Sequence, residues 1–149
     1  HGQYVTDLKQ WKNVFLTHIA DLKESPGVDL KGTLFLTEHE TRILIHWVPD
    51  PDQDNSLPDS LKKGYELDVC DLKHLVCRVL PGFHCRALYL TLKNNTTYGP
   101  FTFRTGGASN FIDTLGETLI LTRSEEDKTL YFVRPRPPQP FSLYRLPTA

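Results

Sequence analysis

The stretch YGPFTFRTGGASNFIDTL, residues 98–115, changes period in its middle, and the fold turns on how that change is read. Its first half alternates, with Phe101 and Phe103 on one side of an extended chain and Thr102 and Arg104 on the other. Its second half places Phe111, Ile112, Leu115 and Leu119 at helical spacing, so a helix is expected over residues 108–122 with Ser109 or Asn110 as N-cap. Gly116 within it costs about 1 kcal/mol against alanine and marks close packing on a sheet. Gly106 and Gly107 sit at the junction. Free amides at a helix start can hold an anion. No G-x-G-x-x-G, GKS or GKT accompanies the pair, however, and the glycines read as the corner that swings a strand into a helix.

Upstream, GTLFLTEHETRILIHWVP reads as a hairpin, with β-branched and aromatic residues at 33–37 and 42–48 around a polar connection at 38–41. A tip at His39-Glu40 sets Leu36 opposite Ile43, Leu34 opposite Ile45, Phe35 opposite Leu44 and Thr33 opposite His46. Leu34, Leu36, Ile43, Ile45 and Trp47 then face inward. Phe35 and Leu44 form an apolar pair on the outer face, flanked by Thr33, Arg42 and His46. Such a pair is either covered by another part of the chain or exposed as an anchor for a partner. NVFLTHI at residues 13–19 is a further strand, as are YELDV, LKHLVCRV, RALYLTL and, after the helix, TLYFV. Six or seven short strands before one amphipathic helix fit a mainly β fold with one C-terminal helix, a pleckstrin-homology-like antiparallel barrel or orthogonal sandwich capped by that helix.

The bulk numbers limit the function classes. A chain of 149 residues, 39% hydrophobic and 23% charged, suits one domain with its own core. Its 17 basic and 18 acidic residues are evenly mixed, which leaves no basic field to draw a nucleic acid. No apolar run reaches the roughly 18 residues of a membrane span. Three cysteines at irregular spacing, Cys70, Cys77 and Cys85, suit a reducing compartment, and the expected location is cytoplasmic. The chain reads as a fragment of something longer.

Four constellations hold residue types that could carry chemistry or binding. Asp50, Asp52 and Asp54 open like an EF-hand loop, but Asn55 stands where its turn needs glycine and Leu61 where it needs a bidentate glutamate. Cys70, His74, Cys77, His84 and Cys85 are metal-ligand types within sixteen residues, yet Cys70 and Cys77 have opposite strand parity and cannot share an ion without a break. No cofactor or metal is expected. Asn94 and Asn95 each begin an N-x-T sequon and read as a polar turn. RPRPPQP at residues 134–140 satisfies R-x-x-P-x-x-P, an SH3-type docking spacing, and also reads as a stiff linker.

Taken in order and spacing, GTLFLTEHETRILIHWVP, YELDVCDLKHLVCRVLPGFHCRALYLTL, GPFTFRTGGASNFIDTL and TRSEEDKTLYFV resemble the N-terminal Rab-binding, pleckstrin-homology-like domain of TBC-type Rab GTPase-activating proteins, a domain type also found in the small G-protein signalling modulators. The resemblance covers about residues 13–147; Trp47-Val48-Pro49, PFTFRTGG and RSEED carry most of it. It implies a lead-in at residues 1–12, a Rab-binding-type domain at 13–134 with a mobile loop at 49–64, and a Pro-rich exit at 135–149 toward a TBC domain. It also implies a non-catalytic module that binds a Rab GTPase or another membrane-traffic partner and is recruited to endomembranes through it. The family's catalytic motifs, I-x-x-D-x-x-R and Y-x-Q, do not occur here, so no GTPase activation is expected. The partner-binding residues expected are Phe35, Leu44, His46, Arg42 and Thr33. The alternative, a phosphoinositide site between the first two strands, meets a loop in which Asp21, Glu24 and Asp29 offset Lys23 and Lys31.

Overall fold

A computed structural model describes residues 5–18, 28–39, 42–51, 63–80 and 85–135. The phosphoinositide-type loop, most of the 49–64 loop, His84 and the exit beyond Pro135 lie outside the described residues. Among the described residues nine strands run β1 (Val5–His18), β2 (Val28–His39), β3 (Arg42–Pro49), β4 (Tyr65–Asp68), β5 (Leu72–Val79), β6 (Arg86–Leu92), β7 (Thr97–Phe103), β8 (Leu119–Arg123) and β9 (Leu130–Pro135). The helix α1 (Ala108–Thr118) lies between β7 and β8. All strands join one open antiparallel sheet in the order β4-β3-β2-β1-β7-β6-β5-β9-β8. β4 and β5 are joined by only a 3-10 turn at Val69–Asp71, yet β3, β2, β1, β7 and β6 lie between them in the sheet. A link that short forces the sheet to curl until its two halves face each other, which is consistent with the pleckstrin-homology-like sandwich read from the sequence.

Aromatic side chains fill the space between the halves. The rings of Trp47 and Phe101 lie 6.3 Å apart, and Tyr65 meets Tyr98 edge to face at 5.2 Å. Two local features of β1 make this packing work. Trp11 and Val14 are both buried although three apart in sequence, a spacing that would send them to opposite faces of a regular strand. A bulge between them, with Asn13 in the left-handed region at φ 59°, restores a common face. Beside it, Gly32 of β2 allows the Trp47 indole to lie across the strand. A Cβ at Gly32 would stand 2.6 Å from the indole ring. The indole Nε1 reaches over and donates to the Val14 carbonyl at 2.9 Å, in the interior.

The helix closes the open end as expected, but its limits differ. Gly107, at φ 104° and without a side-chain hydrogen bond, is the N-cap in place of Ser109 or Asn110. A Cβ there would meet Trp11 Cδ1 at 2.9 Å, so the glycine is required both by its backbone angle and by the tryptophan against it. Asn110 instead accepts a hydrogen bond from Trp11 Nε1 at 3.2 Å, fastening the helix start to β1. Ala108, Phe111, Ile112 and Leu115 face the core. Leu119 is buried as the helical pattern required, but it already belongs to β8, because Leu121 pairs with Val133 and draws the chain into the sheet. The RSEED segment is the turn that follows: Ser124 Oγ accepts from the Glu126 and Asp127 amides, each at 3.2 Å.

The central hairpin keeps its predicted faces but shifts its register. β2 and β3 pair His39 with Arg42, Leu36 with Ile45 and Leu34 with Trp47, two residues from the expected alignment. A shift of two preserves which side chains face inward.

Gly32→Ala is expected to displace the Trp47 indole from the Val14 carbonyl and destabilise the fold by about 2–3 kcal/mol through overpacking. Urea unfolding followed by tryptophan fluorescence checks this.

Candidate functional site

The five residues expected to contact a partner all lie on the outer side of β2 and β3, and the corrected register decides which of them meet. Phe35 stands opposite His46, with Glu66 of β4 beyond it, and Thr33 stands opposite Val48. Phe35 is half-buried, whereas Val48, diagonal to it, is 39% exposed. The apolar neighbour of Phe35 on the open face is therefore Val48. Leu44, the neighbour expected from the sequence, is a correction. It pairs with Thr37 and is only 4% exposed, outside the main core cluster, so it is a covered residue and offers no open anchor.

The polar residues along this face hold fixed positions. Arg42 donates from Nε to Asp68 Oδ2 at 3.1 Å, and the same carboxylate accepts from the Cys70 amide, tying β3 to the 3-10 turn. His46 Nδ1 lies 3.3 Å from Glu66 Oε2, and its ring is 6.2 Å from that of His39. Each pair has one largely exposed member, so neither contributes much stability. What they do is orient the rim of the patch. Farther along the same side of β2, Thr37 Oγ1 and His39 Nε2 are buried without a hydrogen-bond partner among the described residues, each at a usual desolvation cost of about 1–3 kcal/mol.

The other constellations separate. Among the described residues no group of three or more His, Cys, Asp and Glu side chains is placed to hold a metal. Cys70 is exposed in the 3-10 turn, while His74 and Cys77 are half-buried on β5 at opposite parity. Burial pushes the Cys77 thiol above its ordinary range, against the opposing pull of Arg86. Burial likewise raises Cys70, with Asp68 adding to it. At the glycine corner, a recess of about 220 Å³ is lined by Arg86, Phe103, Gly106, Gly107 and Ser109 among others. Its most prominent donors are engaged: Arg86 Nη1 donates to Ser109 Oγ at 2.7 Å, and the Gly106 amide donates to the Phe103 carbonyl at 3.3 Å. Arg104 lies with its guanidinium 3.9 Å from the centre of the Phe15 ring, on the outer surface beside β1.

The chain matches no protein-family model and no curated protein. Its functional reading therefore rests on the sequence pattern and on this geometry. The sequence missed Val48, although a signal was there: in any register that sends Trp47 inward, its neighbour Val48 must face out.

Cys77 is expected to resist iodoacetamide at neutral pH and to react only as the pH rises past the ordinary thiol range, because burial disfavours the thiolate. Labelling rates measured from pH 7 to 10 by mass spectrometry check this.

Proposed function

We propose that the chain is a non-catalytic protein-interaction module of a TBC-type Rab GTPase-activating protein, and that it binds a Rab GTPase or another membrane-traffic partner to position the activator. The observation that carries the reading is the outer face of β2 and β3, where Phe35 and the exposed Val48 are bordered by Thr33 and by the oriented His46–Glu66 pair, with the Arg42–Asp68 pair farther along β3. An aromatic anchor with a polar rim is the composition that partner sites use. The resemblance of the sequence to Rab-binding domains, and a strand order consistent with their pleckstrin-homology-like fold, support the same reading. No helix among the described residues is long and apolar enough to cross a membrane. In this reading, contact with endomembranes comes through the partner.

Pull-down against a panel of GTP-loaded Rabs tests the proposal. Phe35→Ala is expected to weaken the retained Rab about tenfold, equivalent to about 1.4 kcal/mol. Leu44→Ala acts differently: being covered, it is expected to lower stability by about 2–3 kcal/mol and to leave affinity unchanged once folded protein is compared. Failure to retain any Rab or traffic protein overturns the reading.

A further inference from the structure

The other half of the sheet has an outer face of its own, and it is built differently. The pairings of β5 with β6 and β9 set three rows across that face: Phe132–His74–Thr91, Leu130–Val76–Tyr89 and, at the end, Arg78–Ala87. The middle row is apolar and large, whereas its flanking neighbours on β6 are small. Ala87 and Thr91 are only 1% and 8% exposed although they face outward, because the larger side chains rise around them. The result is a recess of about 290 Å³ lined by Val76, Arg78, Tyr89, Thr91 and Thr97. The two threonine hydroxyls satisfy each other at 2.9 Å, so they do not demand a polar ligand. Phe132, 48% exposed, extends the apolar wall onto β9.

Arg78 supplies the charge. It is exposed at the end of the recess, and among the described residues it makes no hydrogen bond or ion pair of its own. Asp127, in the β8–β9 turn, lies within electrostatic reach of it, but its Oδ1 is already engaged by the Thr129 amide and hydroxyl at 3.0 and 2.6 Å. A guanidinium beside an apolar wall is a strong carboxylate receptor, since its fork donates to both carboxylate oxygens and the wall excludes water. Arg78 and Val76 stand two residues apart on one face of a strand, a separation of about 6.6 Å. An extended peptide carries side chains at i and i+2 with the same spacing.

We infer that this face docks an extended segment of a partner protein that presents a carboxylate two residues from an apolar side chain, the carboxylate on Arg78 and the apolar group against Val76 and Tyr89. The inference is independent of the Rab reading, which concerns Phe35 on the other half.

The test uses the whole chain, isotopically labelled, titrated with the peptides GGDGFGG and GGDGLGG and followed by amide shifts in NMR spectra. Saturable shifts at Val76, Arg78 and Tyr89 are expected, with affinity at least fivefold weaker for GGKGFGG and GGDGSGG. Arg78→Glu, on an exposed site whose folding the same spectra verify, is expected to reverse the preference between the aspartate and lysine peptides. Arg78→Gln should abolish it. Absence of saturable shifts up to millimolar peptide, shifts centred elsewhere, or an unchanged preference in Arg78→Glu overturns the inference. So does a response to phosphatidylserine-containing vesicles with none to the peptides.

Discussion

One strand holds the two halves of this molecule together. β1 pairs along most of its length with β2, and over Val14, Phe15 and Leu16 it pairs on its other edge with β7. Those three residues follow directly on the bulge at Asn13, which turns Val14 into the interior. The Val14 carbonyl also receives the indole of Trp47. Backbone pairing, bulge and buried hydrogen bond therefore meet within a few residues. Trp11, at the other side of the bulge, packs edge to face on Phe111 at 4.9 Å and fixes the helix above the core. Each such aromatic contributes about 1.5–3 kcal/mol on burial, but only while the strand between them keeps its kink.

The helix and the curled sheet use up the inner faces, so recognition is left to the outer ones. The two halves present unlike surfaces for a plain steric reason. On β2 the ring of Phe35 stands between two smaller residues, Thr33 and Thr37, so the face carries a half-buried ring that rises above its neighbours along the strand. On β5 and β6, alanine and threonine sit between valine, tyrosine and arginine, which hollows the face. A sheet side chain has little freedom to lean away from its neighbours, so a sequence of large and small residues along a strand becomes relief on the surface.

Much of this was legible. The alternation in GTLFLTEHETRILIHWVP gave the correct inward residues because parity survives a two-residue slip. The register itself was not legible: the connection lacks an Asn-Gly or Gly signal to pin the turn, and the strands close on His39 and Arg42. The burial of Leu44 was equally hidden, since alternation tells which face a residue takes and not whether that face is covered. β1 begins at Val5, well before the expected strand at residue 13. Its two register irregularities break the period that would have revealed it. The glycine corner was read correctly from its place between periods. Its cause, the indole of Trp11 against Gly107, involves residues nearly a hundred positions apart and no local pattern could show it.

That separation bears on the order in which the molecule can assemble. During synthesis β2 and β3 can zip as a local hairpin, but β1 must hold one edge bare until Thr97–Phe103 has been made, and the helix that covers Trp11 comes later still. Pairings between segments far apart in sequence are slow because loop closure comes first and contact only afterwards. A nascent chain halted after β6 would therefore display an unpaired edge and two uncovered tryptophans, the surface features to which chaperones respond.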